Sequence, residues 1–181
     1  MIKKALVIVD MQNDFLDGVL GNERCLATVP EVVNLIKDSD YSALVITQDT
    51  HFENYLSTQE GRKLPVAHCI KGTDGWSLNA SVQKAIDLRG TNRDASIFVM
   101  QKTTFGGLSL IDILRDELTG YDEIHFCGVC TGICVISNVM IAKATLTEAK
   151  IAVVERACAC VTPESHKIAI EAMRTCQVDI I

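Results

Sequence analysis

Six short apolar runs punctuate the chain: ALVIVD at 5–10, ALVITQD at 43–49, SIFVMQK at 96–102, EIHFCGV at 123–129, IAVVE at 151–155 and VDII at 178–181. They are continuous rather than alternating, which is the pattern of strands buried on both faces of a parallel sheet. Between them, apolar positions recur with helical period near 30–38, 79–88, 108–119, 132–148 and 163–175. Two of these segments carry start signals: Thr162-Pro163 followed by Glu164 and Ser165, and Ser109 with Asp112 three residues later. Strand and helix alternate throughout. The expected fold is therefore α/β: a doubly wound, mainly parallel six-stranded sheet with helices on both faces, a Rossmann-like three-layer arrangement with right-handed crossovers. Sheets of this kind hold ligands beyond the carboxyl ends of their strands.

One long stretch, about 50–78, lacks either period, and loops of that length in compact domains are usually functional. No repeat or linker divides the rest, so 1–181 reads as one domain with a loop excursion, large enough to bury about two thirds of its unfolded surface. Apolar residues make up 48% and charged residues 22%, which excludes a disordered chain. The net charge of −6, with no basic run beyond two residues, leaves no footprint for nucleic acid and favours a small-molecule partner. Two lysines before the first apolar run imitate a secretion signal, but that run ends at Asp10 and is too short for an export segment or a membrane span. The chain is read as cytoplasmic, and its eight cysteines as reduced thiols rather than a disulfide framework.

Three chemically capable residues fall at predicted strand ends. Asp10 closes the first strand, Lys102 the third, and Cys134 follows the fourth through a glycine-containing turn at a helix start. An open parallel sheet brings such positions to one rim. A helix N-terminus and a nearby lysine both favour thiolate over thiol, and a carboxylate can take the proton and pass it to a departing amine. Each residue alone has an ordinary explanation: a turn-capping Asp, a solvated Lys, an inert helical Cys.

The chain resembles the nicotinamidase/isochorismatase superfamily of cysteine hydrolases. The motifs that carry the likeness are VIVDMQNDF at 7–15, TQDTH at 47–51, LPVAHCIKGTDG at 64–75, QKTTFGG at 101–107 and HFCGVCTGICVISN at 125–138. The resemblance spans essentially the whole chain and implies an isochorismatase-like fold with Asp10, Lys102 and Cys134 as catalytic triad. It also implies a cis peptide at Val129–Cys130, which would aim the backbone N–H of Cys130 beside that of Cys134 as an oxyanion hole. Many relatives have Asp where this chain has Gly132, so the turn beside the nucleophile departs from the common pattern.

Asp49 and His51, two apart in extended chain, point to one side, and His68 returns after the loop. A carboxylate with two imidazoles suits Zn²⁺, Mn²⁺ or Fe²⁺; from the residues alone, a turn-capping Asp with two histidines that satisfy loop backbone is the favoured reading. The likeness to nicotinamidases implies one divalent metal, zinc foremost with iron or manganese as alternatives, held by Asp49, His51 and His68 with Glu60 as a further ligand, and no organic cofactor. Cys69 is excluded as a ligand because adjacent side chains diverge.

Phe15 matches the family position that packs on the substrate ring, and Phe105 and Trp76 are candidate walls. The remaining cysteines (Cys25, Cys127, Cys158, Cys160, Cys176) read as core or incidental; Cys158 and Cys160 fall just past a strand without a second pair for zinc. The resemblance implies a metal-dependent nicotinamidase of NAD salvage, possible as a homo-oligomer. Two rivals stand beside it: a hydrolase of another small amide, ureido or carbamoyl compound, and a non-catalytic thiol redox or binding protein on the same fold.

Overall fold

The computed structural model describes residues 2–92 and 95–181. In chain order the elements are β1 (Lys4–Val9), α1 (Asn13–Leu16), α2 (Glu23–Ala27), α3 (Val29–Lys37), β2 (Tyr41–Asp49), α4 (Gln59–Lys63), α5 (Ala80–Asn92), β3 (Ser96–Lys102), α6 (Ser109–Asp116), β4 (Glu123–Val129), α7 (Ile136–Thr145), β5 (Lys150–Ala159), α8 (Pro163–Thr175) and β6 (Asp179–Ile180). The strands form one six-stranded sheet in the order β3-β2-β1-β4-β5-β6, and every pairing is parallel. The chain winds outward from β1 to β3 and then returns to β4 on the other side of β1. That reversal makes the β1/β4 boundary a topological switch point, where the loops at the carboxyl ends part and leave a crevice.

β1 lies at the centre, and Ala5 through Val9 are fully buried. A strand covered on both faces has no use for alternating polar residues, which is why its sequence reads as one apolar run. α3 and α5 pack together against one face, and α6 and α7 pack together against the other. α8 begins with a reciprocal cap: Thr162 Oγ1 accepts from the Ser165 N–H at 3.1 Å and Ser165 Oγ from the Thr162 N–H at 3.2 Å. No described helix is long and apolar enough to cross a membrane.

The structure corrects several sequence expectations. β3 is an edge strand with Val99 60% exposed, so it is not buried on both faces. Ser109 does not cap α6; Leu108 holds that position and no side chain caps the helix. β5 continues past an irregularity in its pairing as far as Ala159, which places Cys158 inside the strand. The 50–78 excursion carries a 3₁₀ turn at Tyr55–Ser57 and the short helix α4, and Cys134 lies in a π-helical turn, Thr131–Val135, that precedes α7. Helices of four or five residues are too short to show a period, so α1 and α2 were not foreseen either.

Gly128 fixes how closely β1 and β4 meet at the switch point. Its φ is +115°, and a Cβ there would stand 2.1 Å from the Val9 carbonyl oxygen. The clash is with backbone of a central strand, which cannot rotate away. Gly128→Ala is expected to cost about 3 kcal/mol or more of stability, read as a lowered midpoint in urea unfolding.

Candidate active site and metal centre

Four strands deliver the site. Asp10 follows β1 in a left-handed conformation (φ +51°), Asp49 ends β2, Lys102 ends β3, and Cys134 sits in the π-turn after β4. The Lys102 ammonium joins them: its Nζ is 2.6 Å from Asp10 Oδ2, 3.2 Å from Asp49 Oδ1 and 3.7 Å from Cys134 Sγ. Asp10 is wholly buried, and Lys102 and Cys134 are only 4% and 5% exposed. Thr47 Oγ1 donates to Asp10 Oδ1 at 2.5 Å and accepts from the Asp10 N–H at 3.2 Å, which leaves Oδ2 turned toward the lysine. The expected triad is thus assembled in space.

Burial would lower the pKa of Lys102, but the charges of Asp10, Cys134 and Asp49 outweigh it and raise the pKa, so the lysine stays a cation. Burial raises the Asp10 pKa, with Lys102 opposing and Asp49 adding to the rise. The thiol departs from the sequence expectation of a thiolate. Burial and then the charge of Asp10 push Cys134 well above the ordinary thiol range, and Lys102 offsets only part. A lysine shared with two carboxylates has little positive potential left for the sulfur. Cys134 is therefore a resting thiol beside a carboxylate whose own affinity for protons is raised, the arrangement of a nucleophile with an adjacent general base.

Asp49 faces two ways. Its Oδ1 meets Lys102, and its Oδ2 lies 2.9 Å from His51 Nε2 and 3.5 Å from His68 Nε2. Burial alone would raise its pKa, but the two imidazoles and Lys102 prevail and hold it well below the usual carboxylate range. One donor atom from each of Asp49, His51 and His68 lies within 4.8 Å of the others, and all three residues are buried. Two details fit a metal ion. His51 Nε2 is a buried nitrogen without a hydrogen bond, and His68 Nδ1 lies 2.8 Å from the Val66 carbonyl, to which it can only donate; this leaves Nε2 its lone pair. Glu60 Oε1 stands 3.6 Å from His51 Nε2, at the edge of the cluster, where α4 brings it.

Of the expected substrate aromatics, Phe15 is in place, its ring 5.6 Å edge-on to that of His68. Trp76 is anchored through Nε1–H to Thr50 Oγ1 at 2.9 Å, and its carbonyl accepts from Gln12. Phe105 is 45% exposed and holds no described ring contact. An unforeseen aromatic completes the wall: Tyr55 is fully buried, with ring centroids 4.5 Å from His51 and 4.9 Å from His68.

Other supporting residues were also missed. Gln12 Nε2 donates to the Asp49 and Trp76 carbonyls, both at 2.8 Å, while its Oε1 accepts from the Asp49 N–H at 2.7 Å. Asp14 Oδ2 accepts from the Cys69 N–H at 2.7 Å, which steadies the positive-φ residue next to His68. Buried Asn138 ties the nucleophile turn to the lysine loop: Nδ2 donates to the Cys134 and Phe105 carbonyls at 2.8 and 3.0 Å, and Oδ1 accepts from the Gly107 N–H at 3.0 Å. Its place four residues after Cys134 was the available signal.

A model of the isochorismatase domain matches residues 4–181. The chain belongs to the isochorismatase family. Among family relatives, the nicotinamidase/pyrazinamidase of Mycobacterium tuberculosis is 28% identical over 189 residues, 98% of each chain. The crystal structure of the nicotinamidase/pyrazinamidase PncA from Bacillus subtilis superposes with a TM-score of 0.85 at 24% identity, covering 99% of both chains, and so shares this isochorismatase-like fold. A pyrazinamidase of Pyrococcus horikoshii in complex with zinc superposes at TM-score 0.75 and 26% identity, over 99% of this chain and 98% of that one.

Two outcomes follow from the geometry of this isochorismatase-family site. Iodoacetamide labelling of Cys134, followed by peptide mass spectrometry, should be slow at neutral pH and accelerate well into the alkaline range, because the raised pKa leaves little thiolate below it. Asn138→Ala should lose about 2–3 kcal/mol of stability in urea, since it strips three backbone groups, two of them in buried bonds, of their partner.

Proposed function

We propose that the chain hydrolyses nicotinamide, or a similar small aromatic amide, to the acid and ammonia through a Cys134 thioester. The reading rests above all on the Lys102 ammonium, which holds Asp10, Cys134 and the metal-facing Asp49 around one buried charge. The relatives named nicotinamidase support it, as does the zinc complex of the Pyrococcus pyrazinamidase. Asp49, His51 and His68 would hold a divalent ion, with zinc the preferred fit and Glu60 as a neighbouring carboxylate. Bound there, such an ion supplies Lewis acidity that can receive a ring nitrogen of the substrate.

The protein's own groups account for the proton traffic. Asp10 takes the proton of Cys134 as sulfur attacks the carboxamide carbon, then returns it to the departing ammonia. Lys102 remains charged and steadies the carboxylate and the developing thiolate in turn. The Cys130 carbonyl accepts from the N–H groups of Ile133 and Val135 at 3.0 and 3.1 Å and passes over Cys134. The Val129–Cys130 peptide is cis, and the Cys130 N–H has no described backbone acceptor. The N–H groups of Cys130 and Cys134 then receive the oxyanion, at about 2.7–4 kcal/mol per donor in comparable acyl transfers. Phe15 offers a ring to the aromatic substrate, with Trp76 and Phe105 as outer walls. Water attack on the thioester, with Asp10 as base, releases the acid.

Ammonia release from nicotinamide should be measured together with bound metal for the wild type, Cys134→Ala and His68→Ala. Cys134→Ala should lose about 10⁴-fold in kcat with its metal retained, while His68→Ala loses metal and activity together. Turnover of a ureido or carbamoyl compound that depends on Cys134, without any turnover of nicotinamide, would move the substrate class.

A further inference from the structure

The cluster of Asp49, His51 and His68 has two unlike flanks. On one, the Lys102 ammonium lies 3.2 Å from Asp49 Oδ1 and 2.6 Å from Asp10 Oδ2. On the other, Glu60 Oε1 lies 3.6 Å from His51 Nε2. All three members of the cluster are buried, so an incoming cation has to pass the side chains around it. A divalent ion that approaches beside Lys102 meets a fixed positive charge in a desolvated rim, where repulsion is poorly screened. One that approaches beside Glu60 meets a carboxylate.

A cavity of about 360 Å³ opens on the Glu60 flank, and both His51 and Glu60 line it. Asn54, Gln59, Thr103 and Thr104 give the same lining neutral oxygen atoms, and no lysine or arginine belongs to it. Gln59 and Thr104 are exposed and His51 is buried, while Glu60, with 18% of its side chain exposed, stands between these extremes. The lining thus grades from solvent through a single carboxylate to a nitrogen that can bind metal. The first turn of α4 is fixed close to the Tyr55 turn: Thr58 Oγ1 accepts from the Gly61 N–H at 3.0 Å, and a Cβ on Gly61 would stand 2.0 Å from the Tyr55 carbonyl oxygen. That close approach sets Glu60 against His51.

We propose that this cavity is the entry port of the metal site and that Glu60 is its relay: the carboxylate takes a divalent cation from the cavity and passes it to His51, Asp49 and His68 without remaining among its ligands. The inference rests on the metal site of the proposed function and gives Glu60 a role that a permanent fourth ligand does not fill. A relay lowers the barrier to entry and exit alike and leaves the equilibrium where it was. A ligand stabilises the bound state, so its loss speeds exit and weakens binding. The port also keeps two kinds of traffic apart, because Phe15 and Cys134, which meet the amide, are not part of its lining.

The test uses no amide, so a failure of nicotinamide turnover leaves it intact. Zinc release from the loaded full chain to a chromogenic chelator, and zinc uptake by the stripped chain, are timed by stopped-flow absorbance, with the Kd taken from competition titration. Wild type is compared with Glu60→Gln, Gln59→Lys and Gln83→Lys, each shown folded by circular dichroism. Gln83 is exposed on α5, outside the cavity, and controls for the added charge. Glu60→Gln should slow uptake and release alike, by roughly tenfold, at an unchanged Kd. Gln59→Lys should slow uptake several-fold at low ionic strength and recover in high salt, while Gln83→Lys matches the wild type. The proposal is overturned if Glu60→Gln speeds release and weakens binding with uptake unchanged, or if the two lysine variants behave alike. A wild type that takes up no zinc removes the metal site and the port together.

Discussion

A buried ammonium with three acidic neighbours organises this molecule. Lys102 ends an edge strand, yet its Nζ sits in the dry centre of the rim, where an unpaired charge would cost several kcal/mol. Asp10, Asp49 and Cys134 answer it from three other strands or turns, so each strand must stop at the right level for the charges to balance. Breaking either carboxylate contact leaves a desolvated carboxylate behind. Burial first and the charge of Asp10 second keep Cys134 a resting thiol, against a cation already committed to two carboxylates, and the sulfur becomes an anion only when its proton moves to Asp10.

Much of this arrangement was legible in the sequence because it depends on strand ends. Apolar runs that stop at Asp10, Asp49 and Lys102 announce both the strand and the level of the rim, and the order of the runs gives the parallel fold. Supporting residues were less visible. Thr47, Gln12 and Asp14 act through side-chain bonds to backbone groups 37 to 64 positions away, and no local pattern encodes such a partner, whereas Asn138 also binds the Cys134 carbonyl only four residues back. Tyr55 sits in a 3₁₀ turn too short for a period. The thiolate expectation failed for another reason: it weighed one nearby lysine without the burial and second carboxylate that only the packed rim supplies.

The thiols illustrate how neighbouring positions in a sheet can differ in chemistry. Cys127 and Cys158 lie within strands, where burial keeps them protonated. Two residues past Cys158, Cys160 lies beyond the end of β5, where Cys130, and after it Ser165 and the backbone N–H groups of Gly132 and Val161, lower its pKa against burial. A Cβ at Gly132 would stand in ordinary contact with the Cys160 sulfur, at 3.5 Å.

Gln12 shows what becomes of a sheet when its central strand turns away early. After Asp10 the backbone of β1 no longer runs beside β2, yet Asp49 still has a peptide N–H and C=O facing the gap. The primary amide of Gln12 fills both, a side chain serving as a detached peptide unit. Only an uncharged group that gives and accepts at once can do this; a carboxylate of the same length would set an oxygen against the Asp49 carbonyl. The sheet is thereby continued in dipoles rather than charges, and the electrostatic balance of the rim is left to the ions that perform its chemistry.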